Sequence, residues 1–202
     1  MPVSIPITHI DLLPSAEVDA GEVFCGSLDS PLSTEGMKGL KKAVRRKSGW
    51  DVIISSPKVR CSQFAGWVAN KHDIPLHEWK DFREMDFGDW EGEQPHVILQ
   101  QNPEQLSQWW SDPTQFRPPK GEAYPAFQKR VLKGWRNLLK KYKGQHVLLI
   151  THPGVLRVLL AEVLGLPAGR VFTLHIEHGT MSKIRVVHDE GGDWANLLAH
   201  GC

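Results

Sequence analysis

The sequence predicts an α/β fold: a mainly parallel sheet flanked by helices in three layers, with a small helical cap segment. Three observations predict it. Short β-branched or leucine-rich runs alternate with stretches that carry apolar residues at spacings of three and four. Two of the strand-like runs lead straight into a hydroxyl residue and a proline, where a helix is expected to begin. No internal repeat, low-complexity tract or flexible linker interrupts the 202 residues, so residues 1–202 are expected to form one domain.

In chain order, strands are expected at Ile7 to Leu13, Asp51 to Ser55, His146 to Thr151, Val171 to Ile176 and Ser182 to His188, each rich in residues that suit a pleated surface. Helices are expected at Ser33 to Lys47, Lys58 to Lys71, Glu122 to Tyr142 and Val155 to Leu164. Alternation of this kind favours βαβ units with right-handed crossovers, which place helices on both faces of the sheet. The proline-rich segment from Glu91 to Lys120, with Trp109 and Trp110, leaves that alternation and is expected to fold as a helical excursion capping one end of the sheet.

Composition excludes several classes. Hydrophobic residues make up 41%, enough for a sizeable core. The longest apolar stretches, such as Val147 to Ile150 and Val155 to Ala161, fall far short of the roughly 20 residues of a membrane span, so no membrane association is expected. The start, Met1 to Pro6, lacks the basic and apolar regions of a secretory signal, and a cytoplasmic location is expected. Three cysteines, Cys25, Cys61 and Cys202, show no C-x-x-C spacing and suit reduced thiols. A net charge of +1 gives no global field towards nucleic acid. The cluster Lys38, Lys41, Lys42, Arg45, Arg46 and Lys47 reads as a solvated helix face, and no nucleic-acid partner is expected. The pairs His72/His77 and His175/His178 match no zinc spacing, so no metal is expected. Phosphate-loop, dinucleotide and nucleophile-elbow motifs do not occur, and no cofactor is expected. Eight tryptophans read chiefly as core and cap packing.

The candidate site lies at two junctions of the same construction. Strand Asp51 to Ser55 runs into Ser56-Pro57-Lys58-Val59-Arg60, where Ser56 is expected to cap a helix and Pro57 to occupy its first position, which puts Arg60 in the first turn. Strand His146 to Ile150 runs into Thr151-His152-Pro153-Gly154, again a hydroxyl and then a proline, which puts His152 at a helix start. With both strands parallel, Arg60 and His152 face one crevice at the carboxyl edge of the sheet, where open α/β folds bind ligands. Two helix N-termini, a guanidinium and an imidazole there describe an anion site.

The ordered set Ser55-Ser56-Pro57-Lys58-Val59-Arg60, Glu84 to Gly92, Gly121-Glu122 and Thr151-His152-Pro153-Gly154-Val155-Leu156-Arg157 resembles the histidine phosphatase (phosphoglycerate mutase-like) superfamily, with most similarity to its alpha-ribazole phosphatase branch. The resemblance covers nearly the whole chain. It implies a phosphohistidine mechanism in which a histidine at the end of the first strand attacks phosphorus, arginines and a second histidine hold the phosphoryl oxygens, and a carboxylate protonates the leaving group. By that resemblance Arg60 matches the second phosphate arginine, His152 the second histidine and Glu84 the proton donor. The chain departs from the family at the first motif: the positions of Arg-His-Gly hold Pro14-Ser15-Ala16, so Ser15 stands in the nucleophile's place. His9 lies six residues earlier, about 20 Å along a strand at roughly 3.3 Å per residue, too far to substitute. Cys25 and Cys61 lack an arginine six positions on, where Pro31 and Trp67 stand.

The expected ligand is therefore a small phosphorylated molecule or inorganic phosphate. Arg60, His152 and Ser15 bind it, Glu84 and His152 are the catalytic candidates, and hydrolysis is expected to be weak or absent. The alternatives are an active phosphomonoester hydrolase with another nucleophile and a non-catalytic interaction protein.

Overall fold

The structure, a computed structural model, describes residues 5–45 and 49–202. Met1 to Ser4 of the expected leaderless start, and Arg46 and Lys47 of the basic cluster, lie outside the described residues. Among the described residues six strands form one sheet: β1 (Ile7–Pro14), β2 (Val52–Ser55), β3 (Leu76–Glu78), β4 (His146–Thr151), β5 (Ser182–Asp189) and β6 (Gly192–Ala199), in the order β3-β2-β4-β1-β5-β6. The first four of that order are mutually parallel, β5 runs antiparallel to β1 and β6 antiparallel to β5, so the sheet is mixed. Helices are α1 (Thr34–Ala43), α2 (Val59–His72), α3 (Pro95–Gln101), α4 (Pro103–Ser111), α5 (Tyr124–Lys141) and α6 (Pro153–Leu164).

Side chains alternate along each strand, and that alternation divides the core in two. Ile10, Leu12, Ile54, Val147 and Leu149 meet α5 and α6 through Phe127, Val131, Leu138, Val155 and Leu159. Leu13, Ile53, Leu148 and Ile150 point the other way, onto Leu40 of α1 and Phe64, Ala65 and Val68 of α2. Helices thus cover both faces, as the pattern predicted. Burying a side chain such as Leu12 or Phe64 contributes about 1.5–3 kcal/mol each.

Four expectations are corrected. Val171 to Ile176 is not a strand: residues Ala168–Thr173 form a 3-10 helix after Pro167, closed by bonds from Arg170 N to Pro167 O and from Leu174 N to Val171 O. Its apolar residues pack against the cap instead of the sheet, with Phe172 edge-on to Trp109 at 5.5 Å. Helix α1 ends at Ala43 with Val44 as its cap residue, so Val44 and Arg45 of the expected helix lie beyond it. Helix α2 starts at Val59, with Lys58 as its cap residue, so Pro57 is not its first residue. Ser56 does not cap it; Asp29 Oδ1 accepts the Val59 N–H at 2.8 Å, because the chain after β1 folds back across this helix start. Strands β3 and β6 were not expected. The first is only three residues long, and the second is an edge strand with exposed or half-buried side chains.

Between Glu91 and Lys120 the chain forms two helices and adds no strand to the sheet. Helices α3 and α4 each start on a proline, and Trp109 of α4 is buried with the main core while Trp110 is 45% exposed.

Candidate functional site

Register places three strand ends together. Pro14 of β1 pairs with Thr151 of β4, and Ser55 of β2 pairs with Ile150. Ser15, Ser56 and His152 each follow one of those ends, so they share the carboxyl edge of the parallel part of the sheet. Ser15 N–H donates to Thr151 O at 2.7 Å, which fixes its position beside the β4 end.

Arg60, in the first turn of α2, is 2% exposed. Its Nε–H donates to His152 Nδ1 at 3.2 Å, Nη1 to Leu28 O at 2.9 Å, and Nη2 to Cys25 O at 2.8 Å and Gly26 O at 3.2 Å. Four of a guanidinium's five donors are thereby engaged, chiefly with carbonyls of the 25–28 loop. That loop is held in turn by Glu91, whose carboxylate accepts N–H bonds from Gly26, Ser27, Leu28 and Phe87 at 2.7–3.0 Å. Lys58 Nζ also donates to Ser27 O. Gly26 is required here, since a Cβ would collide with the Met85 carbonyl.

His152 caps α6 and is 1% exposed. Because a guanidinium only donates, the Arg60 contact assigns a lone pair to Nδ1, and the Nε2–H donates to Ser56 Oγ at 2.7 Å. Burial, then the charges of Arg60, Lys58 and Arg130, hold the imidazole well below its ordinary pKa and therefore neutral. Beside it lies the Cys61 thiol, which burial pushes up to about 12 and keeps protonated.

Glu84 sits on the loop between the 3-10 turns at Lys80–Phe82 and Gly88–Trp90. Its two oxygens accept the N–H groups of Met85 and Gly154, each at 2.9 Å. Gly154 lets the carboxyl group approach, because a Cβ there would strike it. Burial raises the Glu84 pKa, although those N–H groups, Arg60 and Arg157 all pull it down. The loop's shape comes from Arg130 of α5, which donates to the carbonyls of Asp81, Arg83 and Glu84 and pairs with Glu122 at 2.7 Å.

All four residues singled out in the sequence, Ser15, Arg60, Glu84 and His152, border one cavity of about 840 Å³. His9 does not. It is exposed and pairs with His146 at the opposite end of the strands, its ring 5.9 Å from that imidazole. Other polar residues line the cavity without having been named as site candidates, among them Glu17, Glu22, Tyr124, Arg157 and His178. Arg157 had a legible signal, a lone cation within the apolar run from Val155 to Leu160, with Glu162 five positions on as the nearest acid of the helix. His178, from the turn before β5, had none; its Nδ1–H donates to Ser15 O at 2.7 Å.

A carboxyl of raised pKa on a cavity that also holds a guanidinium and a neutral imidazole suits proton transfer to a leaving oxygen. The chain is 27% identical over 166 residues to the adenosylcobalamin/alpha-ribazole phosphatase of Escherichia coli (strain K12), covering 81% of this chain and 82% of that protein. Among solved structures, the alpha-ribazole phosphatase from Shigella flexneri superposes with a TM-score of 0.80 at 26% identity, covering 96% of each chain. YhfR of Bacillus stearothermophilus superposes with a TM-score of 0.86 at 25% identity, again over 96% of each. With residues 15–197 matching the family profile from the end of β1 into β6, the chain belongs to the histidine phosphatase superfamily (branch 1).

Proposed function

We propose that this chain binds a phosphomonoester in the cavity at the carboxyl edge of its sheet and hydrolyses it weakly or not at all. The observation that carries this reading is the joint presence of Arg60, Glu84 and His152 on one cavity with a serine, Ser15, at the end of β1. In this reading Arg60, His152 and Ser15 hold the phosphoryl group, and Glu84 stands ready as the acid. A serine hydroxyl needs a base or metal to attack phosphorus, and both His152 nitrogens are occupied by Arg60 and Ser56. Removing the nucleophile from a cooperating set costs on the order of 10⁶ in turnover. Phosphate monoesters, among the slowest substrates in water, would then survive. The similarity to alpha-ribazole phosphatases makes alpha-ribazole 5'-phosphate the first ligand to try, and the aromatic cavity wall of Trp109, Phe127 and Phe172 suits a ring.

A second reading, an active phosphomonoester hydrolase, draws support from His178. Its Nδ1 proton is committed to the Ser15 carbonyl, which leaves Nε2 with the lone pair a nucleophile needs, on the same cavity.

The deciding assay compares the natural chain with the combined Pro14→Arg, Ser15→His, Ala16→Gly variant on an aryl phosphate and on alpha-ribazole 5'-phosphate. The first reading expects turnover to rise by about 10³ or more in the variant. Equal turnover in both sinks it, and loss of the natural activity in His178→Gln would establish the second. A phosphate-induced rise in melting temperature that weakens in Arg60→Lys separates both from a non-catalytic interaction protein.

A further inference from the structure

Arg157 projects from α6 into the cavity with its guanidinium 5.4 Å over the Phe172 ring and its Nε–H on Leu174 O at 3.2 Å. Among the described residues no carboxylate forms an ion pair with it. Tyr124, at the start of α5, lines the same cavity, is 3% exposed, and its hydroxyl has no hydrogen-bond partner. A buried hydroxyl left unmatched costs about 1–3 kcal/mol, which an arriving acceptor oxygen relieves. Arg157 lies over Phe172, and Tyr124 meets Trp109 and Phe127 edge-on at 6.3 and 5.8 Å, so both stand at the aromatic wall of the cavity.

We propose that Arg157 and Tyr124 form a second anion subsite, which selects phosphomonoesters whose organic part is a flat ring bearing a carboxylate or similar anionic oxygen. This rests on the reading that the phosphoryl group binds on the Arg60 side. The guanidinium fork supplies two parallel N–H donors to the second anion, the tyrosine adds an O–H, and Phe172 with Trp109 holds the ring. Inorganic phosphate and simple aryl phosphates fill only one of the two subsites.

Calorimetric titration of the full chain with phenyl phosphate, 3-carboxyphenyl phosphate and benzoate tests this. The carboxylated ester is expected to bind about tenfold tighter than phenyl phosphate. Arg157→Gln should collapse that ratio towards one, Tyr124→Phe should lower it, and Arg157→Lys should restore part of it. Should Arg157→Gln fail to fold, Tyr124→Phe, which removes a single oxygen, decides. Equal affinity of the natural chain for the two esters, or a ratio that survives both substitutions, overturns the subsite. If phenyl phosphate does not bind while benzoate binds in an Arg157-dependent way, the subsite stands and the phosphate reading falls.

Discussion

His152 and His188 are buried to the same degree, 1% and 2% exposed, yet they keep opposite company. His188 Nδ1 meets Asp193 Oδ1 and its Nε2 meets Thr8 Oγ1, both at 2.6 Å, and Thr8 Oγ1 also accepts Gly144 N–H at 2.9 Å. Carboxylate, imidazole and hydroxyl in a row have the order of a nucleophilic triad, but none of the three borders the cavity. His152 instead has a guanidinium on one nitrogen and a serine on the other, and it faces the cavity. A hydroxyl sealed in protein reaches no substrate, so the His188 cluster fastens the β1–β5–β6 side of the sheet. The His152 cluster joins a cation to open space, which is what a ligand requires.

Substitutions at the two clusters should separate these roles. Arg60→Leu leaves three carbonyls and an imidazole without their donor, and a loss of about 4 kcal/mol is expected in denaturant unfolding. A loss under about 1 kcal/mol would show that water replaces the guanidinium freely. Glu91→Gln weakens the clasp on the 25–28 loop, with about 2 kcal/mol lost and faster protease cleavage there. At the other cluster, Thr8→Val should cost about 1–2 kcal/mol and leave ligand titrations unchanged; altered binding would contradict its purely structural role.

The smallest effect is one of pH. His152 has a folded pKa well below the ordinary 6.5, so the unfolded chain takes up a proton first as pH falls. Its contribution to stability is complete above about pH 6.5 and is lost on acidification, at most about 1.4 kcal/mol per pH unit. Glu84 has the opposite sign: with its pKa raised, its contribution is present below the ordinary carboxyl value and declines as pH rises through the folded one. His152→Gln should flatten the melting temperature between pH 5 and about pH 6.5, and an unchanged slope there would assign the titration to another group.

Residues β1, β2 and β4 could be read from the chain because their apolar runs end at hydroxyl and proline residues, and that reading brought Arg60 and His152 to one edge. Glu84 was recovered by the resemblance alone; its loop owes its shape to Arg130, 46 positions away. Val171 to Ile176 misled because β-branched and aromatic residues suit any buried surface: Val171 is buried away from the sheet's ladder and Phe172 meets Trp109 of α4. The carbonyls around Arg60 were illegible for a plainer reason: backbone acceptors carry no residue code, and only folding of the 25–28 loop brings them within reach of the guanidinium.

Those carbonyls make occupancy a competition. An oxyanion arriving at Arg60 must displace oxygens that the chain already supplies, so its apparent affinity is the intrinsic one multiplied by the fraction of molecules in which the loop has lifted. Each 1.4 kcal/mol by which Glu91 favours the lowered loop weakens capture about tenfold. Loosening that tether should thus trade durability for a tighter grip on the ligand, two properties that usually fall together.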